Sequence, residues 1–303
     1  MIGWLVNDCL TCIPNVETFW HDLLKWLPNL YDKTFGYTCF DNLADKIETE
    51  QKIIGEPNYI IRNATFFRPI KTKAKTISIL QDIYEGRLRE KQIEVCNNSD
   101  IVVFNSSYTK LFYEDDIKTR IKVIPIGVDF EFFKNTGEKQ MNVLPNSILF
   151  VGSADIHPKG FDILMQIIEK TNHNFCFVMK DNFKISHPRI RVFNSVNHEL
   201  LKKIYNSCII LLCTSRQETL HLSGIEAAAC NLPIITTNVG VYFDLRNIGE
   251  WGHKVKTVED FIDKIEVVFK NRLSYNSRKV FLDHNLDKIS CKYSWQNLIR
   301  EII

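Results

Sequence analysis

Ser215 to Gly240 reads SRQETLHLSGIEAAACNLPIITTNVG, and the order of patterns in it decides the fold. The apolar run just before it, Cys208 to Cys213 (CIILLC), is short and bounded by polar residues, as a strand buried on both faces would be. A loop with Glu218 follows. Ser223 then stands as a candidate N-cap with Glu226 three residues later, the spacing of a capping box, and Ile225 and Ala227 to Cys230 are small or apolar enough for a closely packed helix. Asn231 and Pro233 end that helix, and Ile234 to Thr237 (IITT) opens a new strand. Strand, loop, helix and strand make the parallel crossover of an open α/β sheet.

In such sheets the loops at the carboxyl ends of the strands face the ligand crevice, and the next helix aims its free N–H groups there. A phosphate suits that position. Glu218 and Glu226, eight residues apart, could hold hydroxyl groups at the two ends of a ligand with a diphosphate in the middle. From these residues alone they could equally be a solvated loop carboxylate and a capping one.

The run from Glu218 to Thr236 resembles the E-x7-E segment of the retaining, nucleotide-sugar-dependent glycosyltransferases of family four, usually close to EGFGLxxLEAMACGxPVI. Four further segments resemble that family in its order. They are Ile124 to Asp129 (IPIGVD), Leu149 to Leu164 (LFVGSADIHPKGFDIL), Asn197 to Ser207 (NHELLKKIYNS) and Tyr293 to Trp295 (YSW). The resemblance covers most of residues 95–303. It implies the GT-B architecture: α/β, two Rossmann-like domains facing a cleft, with a C-terminal helix crossing back to the first. The expected limits are 1–133 for an acceptor-side domain, 134–145 for a linker, 146–288 for a nucleotide-sugar domain and 289–303 for the returning helix, in which Trp295 packs at the hinge.

The resemblance also implies the site. Glu218 would hold the sugar and steady charge at its anomeric carbon, and Glu226 would hold the ribose. Lys159 and the segment Leu220, His221, Leu222 and Ser223 would take the diphosphate, with the departing phosphate accepting the acceptor's proton. The family has an arginine where this chain has Ser153, so either Lys180 or Arg216 substitutes for the missing cation or the donor is held more weakly. Where the family often has a histidine that contacts the transferred sugar, this chain has Gln81, followed by Asp82. Glutamine can hydrogen-bond a hydroxyl but cannot take a proton. The first loop, Asp8 to Asn15, lacks the family's glycines and is assigned no phosphate contact.

Composition agrees with a globular protein. The chain has 303 residues, 45% hydrophobic and 24% charged, with a formal net charge of +2, room for two domains. No stretch reaches the ~20 apolar residues of a membrane span, and the N-terminus lacks a signal-peptide pattern, so a cytoplasmic protein is expected. Nine scattered cysteines are expected as thiols, and Cys9 and Cys12, lacking a second pair, are not read as a metal site. With no Asp-x-Asp segment, no metal and no cofactor are expected beyond the nucleotide-sugar donor.

The acceptor is the open question. The helix over Val16 to Leu27 carries Phe19, Trp20, Leu23, Leu24, Trp26 and Leu27, which points to packing on the sheet or to contact with a membrane surface. Arg62 to Lys91 holds eight Lys or Arg against three Asp or Glu, a solvated face or an attraction for an anionic acceptor such as nucleic acid. A sugar- or nucleotide-binding protein without turnover is the remaining alternative, supported by the departures at Ser153, Gln81 and the first loop.

Overall fold

The computed structural model describes residues 2–6, 14–32, 56–64, 72–180 and 182–302. The chain divides into two units. The first holds residues 1–127 and 289–303, and the second holds Val128–Lys288. The Val128 to Phe133 stretch, expected to close the first domain, therefore lies in the second unit, where the Cys230 thiol donates to the Phe133 carbonyl.

The first unit is built on a parallel sheet. Its strands are β1 (Gly3–Val6), β2 (Leu30–Asp32), β3 (Tyr59–Asn63), β4 (Lys75–Leu80), β5 (Ile101–Phe104) and β6 (Arg120–Val123), in the order β2-β1-β3-β4-β5-β6. Helices α1 (Pro14–Trp26), α2 (Gly86–Asn97) and α3 (Ser107–Leu111) connect them. Phe35 to Phe40, whose apolar pattern reads as a strand, the segment around Asn42 to Ile53, which reads as a helix, and most of the first loop lie outside the described residues. Phe19, Trp20, Leu23, Trp26 and Leu27 are all buried, so this face of α1 is spent on packing. Part of its cover is the last helix, whose Trp295 ring lies 6.1 Å from that of Phe19 and whose Gln296 amide donates to the Trp26 carbonyl. Each large side chain so buried is worth about 1.5–3 kcal/mol.

The basic stretch is also partly spent. Arg62 is fully buried, donates to the Ser78 and Ser99 hydroxyls, and has its pKa pulled down to about 10 by that burial. Lys75 pairs with Asp100 at 2.9 Å and Arg89 with Asp116 at 2.6 Å. The surface patch is thus smaller than the sequence count implies.

The second unit repeats the architecture. Its strands β7 (Ile148–Gly152), β8 (Phe175–Met179), β9 (Ile190–Asn194), β10 (Ile210–Cys213), β11 (Ile234–Thr236) and β12 (Gly252–Lys254) are all parallel. They lie in the order β12-β11-β10-β7-β8-β9. Helices α4 (Phe161–Lys170), α5 (His198–Ser207), α6 (Leu222–Ala229), α7 (Val258–Asn271) and α8 (Ser277–Asp283) follow, and α9 (Lys288–Ile302) returns to the first unit. The core between sheet and helices contains Phe150, Leu164, Ile168, Phe177, Ile210, Leu212 and Ile265. The chain leaves central β7 in one direction through β8 and β9, then returns to β10 and continues in the other. This reversal puts a crevice beyond the carboxyl ends of β7 and β10.

Candidate functional site

Two loops meet at that crevice, one from Gly152 to Gly160 and one from Thr214 to His221. Hydrogen bonds to backbone carbonyls hold them together: the Arg216 N–H donates to the Pro158 carbonyl at 2.7 Å, and the Thr214 hydroxyl donates to the Lys159 carbonyl at 3.1 Å. Gly160 makes the approach possible. It sits at φ +62°, and a Cβ there would lie 2.0 Å from the Thr214 oxygen. Gly160→Ala is accordingly expected to cost at least about 1–3 kcal/mol and to part the loops, read as a lower melting temperature.

Their meeting brings Lys159 to Glu218 across 59 residues of chain, with Nζ 2.7 Å from Oε1. The Ser215 hydroxyl donates to the same oxygen at 2.7 Å. The Glu218 side chain is 11% exposed. Burial alone would raise its pKa, but the charges of His221 and Lys159 and the bonds from Lys159 and Ser215 outweigh burial and hold it below the usual carboxylate range. The result is a nearly buried carboxylate kept ionised, beside a cation, at the mouth of a parallel sheet.

The second glutamate has the opposite setting. Helix α6 starts at Leu222, after His221 in left-handed backbone with φ 69°. Ser223 is therefore not the N-cap, and Glu226 lies more than a turn into the helix instead of closing a capping box. A box of that type does form at Thr257 and Asp260, at the start of α7. Glu226 is 4% exposed and accepts from the Tyr205 hydroxyl at 2.9 Å. Burial raises its pKa to about 7, against the smaller lowering effects of Tyr205 and His221. Two carboxyls eight residues apart are thus driven in opposite directions by their surroundings.

The raised value has a consequence for stability. A carboxyl with a pKa of about 7 in the folded protein and 4.5 when free binds more protons folded than unfolded between those values, so stability falls as pH rises through that window. Glu226→Gln removes the titration. It is expected to melt above the wild type at pH 8, by an amount on the order of 3 kcal/mol at most, and to lose that advantage at pH 4.

The other predicted residues divide. Arg216 is committed elsewhere, its two terminal nitrogens each 2.7 Å from an oxygen of Asp162, with a further bond to the Ile156 carbonyl. Its guanidinium is thus paired within the second unit. Lys180 is exposed just past β8, its backbone N–H bonded to the Gly152 carbonyl, and forms no ion pair among the described residues. The Ser153 hydroxyl donates to Asp155. Leu220 is buried, and its carbonyl accepts from Val241. His221 and Ser223 lie at the entry to α6, bonded to each other at 3.1 Å.

Gln81 and Asp82 belong to the first unit, immediately past β4. The Gln81 side-chain nitrogen and the Oδ1 of nearby Asn105, both buried, have no hydrogen-bond partner among the described residues. The Asp82 carbonyl accepts from Tyr113. Asn105 stands in the sequence with Ser106 and Ser107 as a polar cluster after an apolar strand, whereas nothing in the sequence singles out Ser215, Tyr205 or Tyr242.

Cys213, Glu218 and His221 each place a ligand-type atom within 4.8 Å of the others. A divalent ion there would lie beside the Lys159 ammonium on Glu218 Oε1 and would replace the Tyr242 or the Ser223 hydroxyl at one ring nitrogen of His221. A cavity of about 640 Å³ opens beside Pro145, Ile209 and Pro233, at the amino ends of β7, β11 and β10, and is remote from these groups.

Solved structures with the same architecture align over nearly the whole chain. A sucrose-phosphate synthase from Thermosynechococcus elongatus has a TM-score of 0.78 at 14% identity, covering 100% of this chain and 99% of that one. Anabaena HepE in complex with UDP-glucose has a TM-score of 0.78 at 13% identity, covering 99% and 100%. The fold is GT-B. Residues 145–271 match the family model "Glycosyl transferases group 1". An uncharacterised glycosyltransferase of Methanocaldococcus jannaschii is 28% identical over 236 residues, 73% of this chain and 62% of that protein. A probable sucrose-phosphate synthase of Thermosipho melanesiensis is 26% identical over 62% of this chain and 47% of its own length. The chain thus spans less than two thirds of these curated relatives. Among the described residues no helix is long and apolar enough to cross a membrane.

Proposed function

We propose that the protein transfers a sugar from a nucleoside diphosphate sugar to an acceptor, with retention of anomeric configuration. The observation that carries this is the cluster of Lys159, Ser215 and Glu218 where the β7 and β10 loops meet, in front of α6. The matched family model and the UDP-glucose complex of Anabaena HepE support the donor class. In the reaction the bond from the anomeric carbon to the diphosphate oxygen breaks, the acceptor oxygen bonds to that carbon, and its proton passes to the leaving diphosphate. Lys159 and the first turn of α6 offset the charge growing on the diphosphate. Ionised Glu218 steadies positive charge on the sugar, and Glu226 takes the ribose hydroxyls. Gln81 and Asp82 are assigned to hydroxyls of the sugar or acceptor, since a hydroxyl can complete the unpartnered Gln81 amide.

Lys159 fills the place a cation would take at Glu218, so transfer is proposed to need no divalent ion. EDTA is expected to leave the rate unchanged, and a rate restored only by Mg2+ or Mn2+ would overturn this. The functional reading is tested by thermal shift with UDP, GDP and ADP and their glucose conjugates, where a ligand at ~100 times its Kd adds ~2.7 kcal/mol. Donor hydrolysis or transfer then separates an enzyme from a binding protein. No shift with any of them removes the proposal.

A further inference from the structure

We infer that His221 is a positioning residue: it fixes the Ser223 hydroxyl as a hydrogen-bond donor towards the diphosphate, in a relay that begins at Tyr242. The inference rests on the nucleotide-sugar reading and adds a residue that the reading does not need. His221 is 7% exposed, with Nδ1 2.6 Å from the Tyr242 hydroxyl and Nε2 3.1 Å from the Ser223 hydroxyl. Burial, with smaller contributions from the charges of Cys213 and Glu218, keeps the Tyr242 phenol protonated well above its ordinary range.

Protonation then follows the chain of partners. In the neutral tautomer in which Nδ1 accepts from the phenol, Nε2 carries the hydrogen and donates to Ser223; against burial, the charge and hydrogen bond of Cys213 and the charge of Glu218 raise the His221 pKa and favour the charged ring. In the charged ring both nitrogens donate, and Nε2 still points its hydrogen at Ser223. Either way one lone pair of the serine oxygen is occupied, and its own proton is left for a group in front of the helix. Ser223 is the second residue of α6, where an anion also meets the free N–H groups and the positive end of the helix.

The surroundings are shaped around these three side chains. A Cβ on Gly224 would lie 1.9 Å from the Tyr242 oxygen and 2.6 Å from His221 Nδ1, so only glycine lets the phenol reach the ring. The family form has glycine where this chain has His221. Glycine would adopt φ 69° freely, whereas histidine does so at a conformational cost. A buried ring with both nitrogens engaged gives that cost a purpose, and it strengthens the diphosphate site after Arg216 has been committed to Asp162.

The test is calorimetry with UDP on the wild type, Ser223→Ala, His221→Gly, the double variant and His221→Gln. Each of the first two single changes is expected to weaken UDP binding about tenfold, and the double variant no further. Glutamine can accept with Oε1 and donate with Nε2, so His221→Gln should recover affinity to within about threefold of wild type. An additive loss of about a hundredfold in the double variant would mean that His221 acts independently of Ser223 and would overturn the relay. Unchanged affinity in His221→Gly would do the same. Melting curves check folding; if the glycine variant does not fold, His221→Asn tolerates the backbone angle, is too short to reach Ser223, and should show the same tenfold loss. Failure of the wild type to bind UDP, GDP or ADP is visible before any substitution and removes the underlying reading together with the relay.

Discussion

Glu218→Gln is expected to lower the turnover number for sugar transfer by about a hundredfold or more, while UDP affinity stays within about threefold of wild type. The substitution keeps the shape of the side chain and a carbonyl oxygen that can accept from Lys159 and Ser215, so the loops stay together. What it removes is the negative charge. That charge is maintained against burial by Lys159, His221 and Ser215, and its proposed work is done only as positive charge develops on the sugar. The loss should therefore fall on kcat and leave ground-state binding largely intact. Single-turnover transfer and UDP calorimetry on the same variant read the two quantities separately. Near-wild-type turnover would remove Glu218 from the reaction and leave it as the carboxylate that ties the two loops.

The elements of the second unit were legible because their residues leave few alternatives. CIILLC can hardly be other than a buried strand, and the small residues of Ala227 to Ala229 suit a helix pressed against a sheet. The loops joining them were harder. A rule that places serine at an N-cap selects Ser223, yet the chain enters α6 through His221 in left-handed backbone, a conformation that no local preference of histidine announces. Glu226 then lies beyond the first turn, where it accepts from Tyr205 instead of closing a capping box. Arg216 was read as a free cation because its partner, Asp162, sits 54 residues earlier and meets it only through the packing of two loops. The positive count over Arg62 to Lys91 failed for a related reason: charge tallies do not register that Arg62 is buried between two serines. Tyr242 shows the limit most clearly. Its meeting with His221 depends on a glycine at 224 and on a 3-10 turn from Gly240 to Phe243 laid against Leu220, and neither is written in the spacing of polar and apolar residues.

Lys159→Met is expected to affect the site in two ways that pH can separate. The ammonium is lost to the diphosphate, which should weaken UDP binding by ~1.5–3 kcal/mol, the range of one charge-assisted hydrogen bond. It is also lost to Glu218, which remains nearly buried with one of its charge partners and one hydrogen bond gone. Burial then weighs more heavily, and the carboxyl pKa moves up. A carboxylate with a depressed pKa stays ionised, and adds stability, until pH falls through that value. Once the depression is relieved, protonation begins at a higher pH. The acidic limb of the kcat/KM profile should therefore move to higher pH in Lys159→Met, in addition to the uniform loss from weaker donor binding. Lys159→Arg keeps the charge and should restore the position of the acidic limb, even though a planar guanidinium fits the gap between the loops less well. A profile that falls by the same factor at every pH would mean that Lys159 serves the diphosphate alone, with Glu218 kept ionised by His221 and Ser215 without its help.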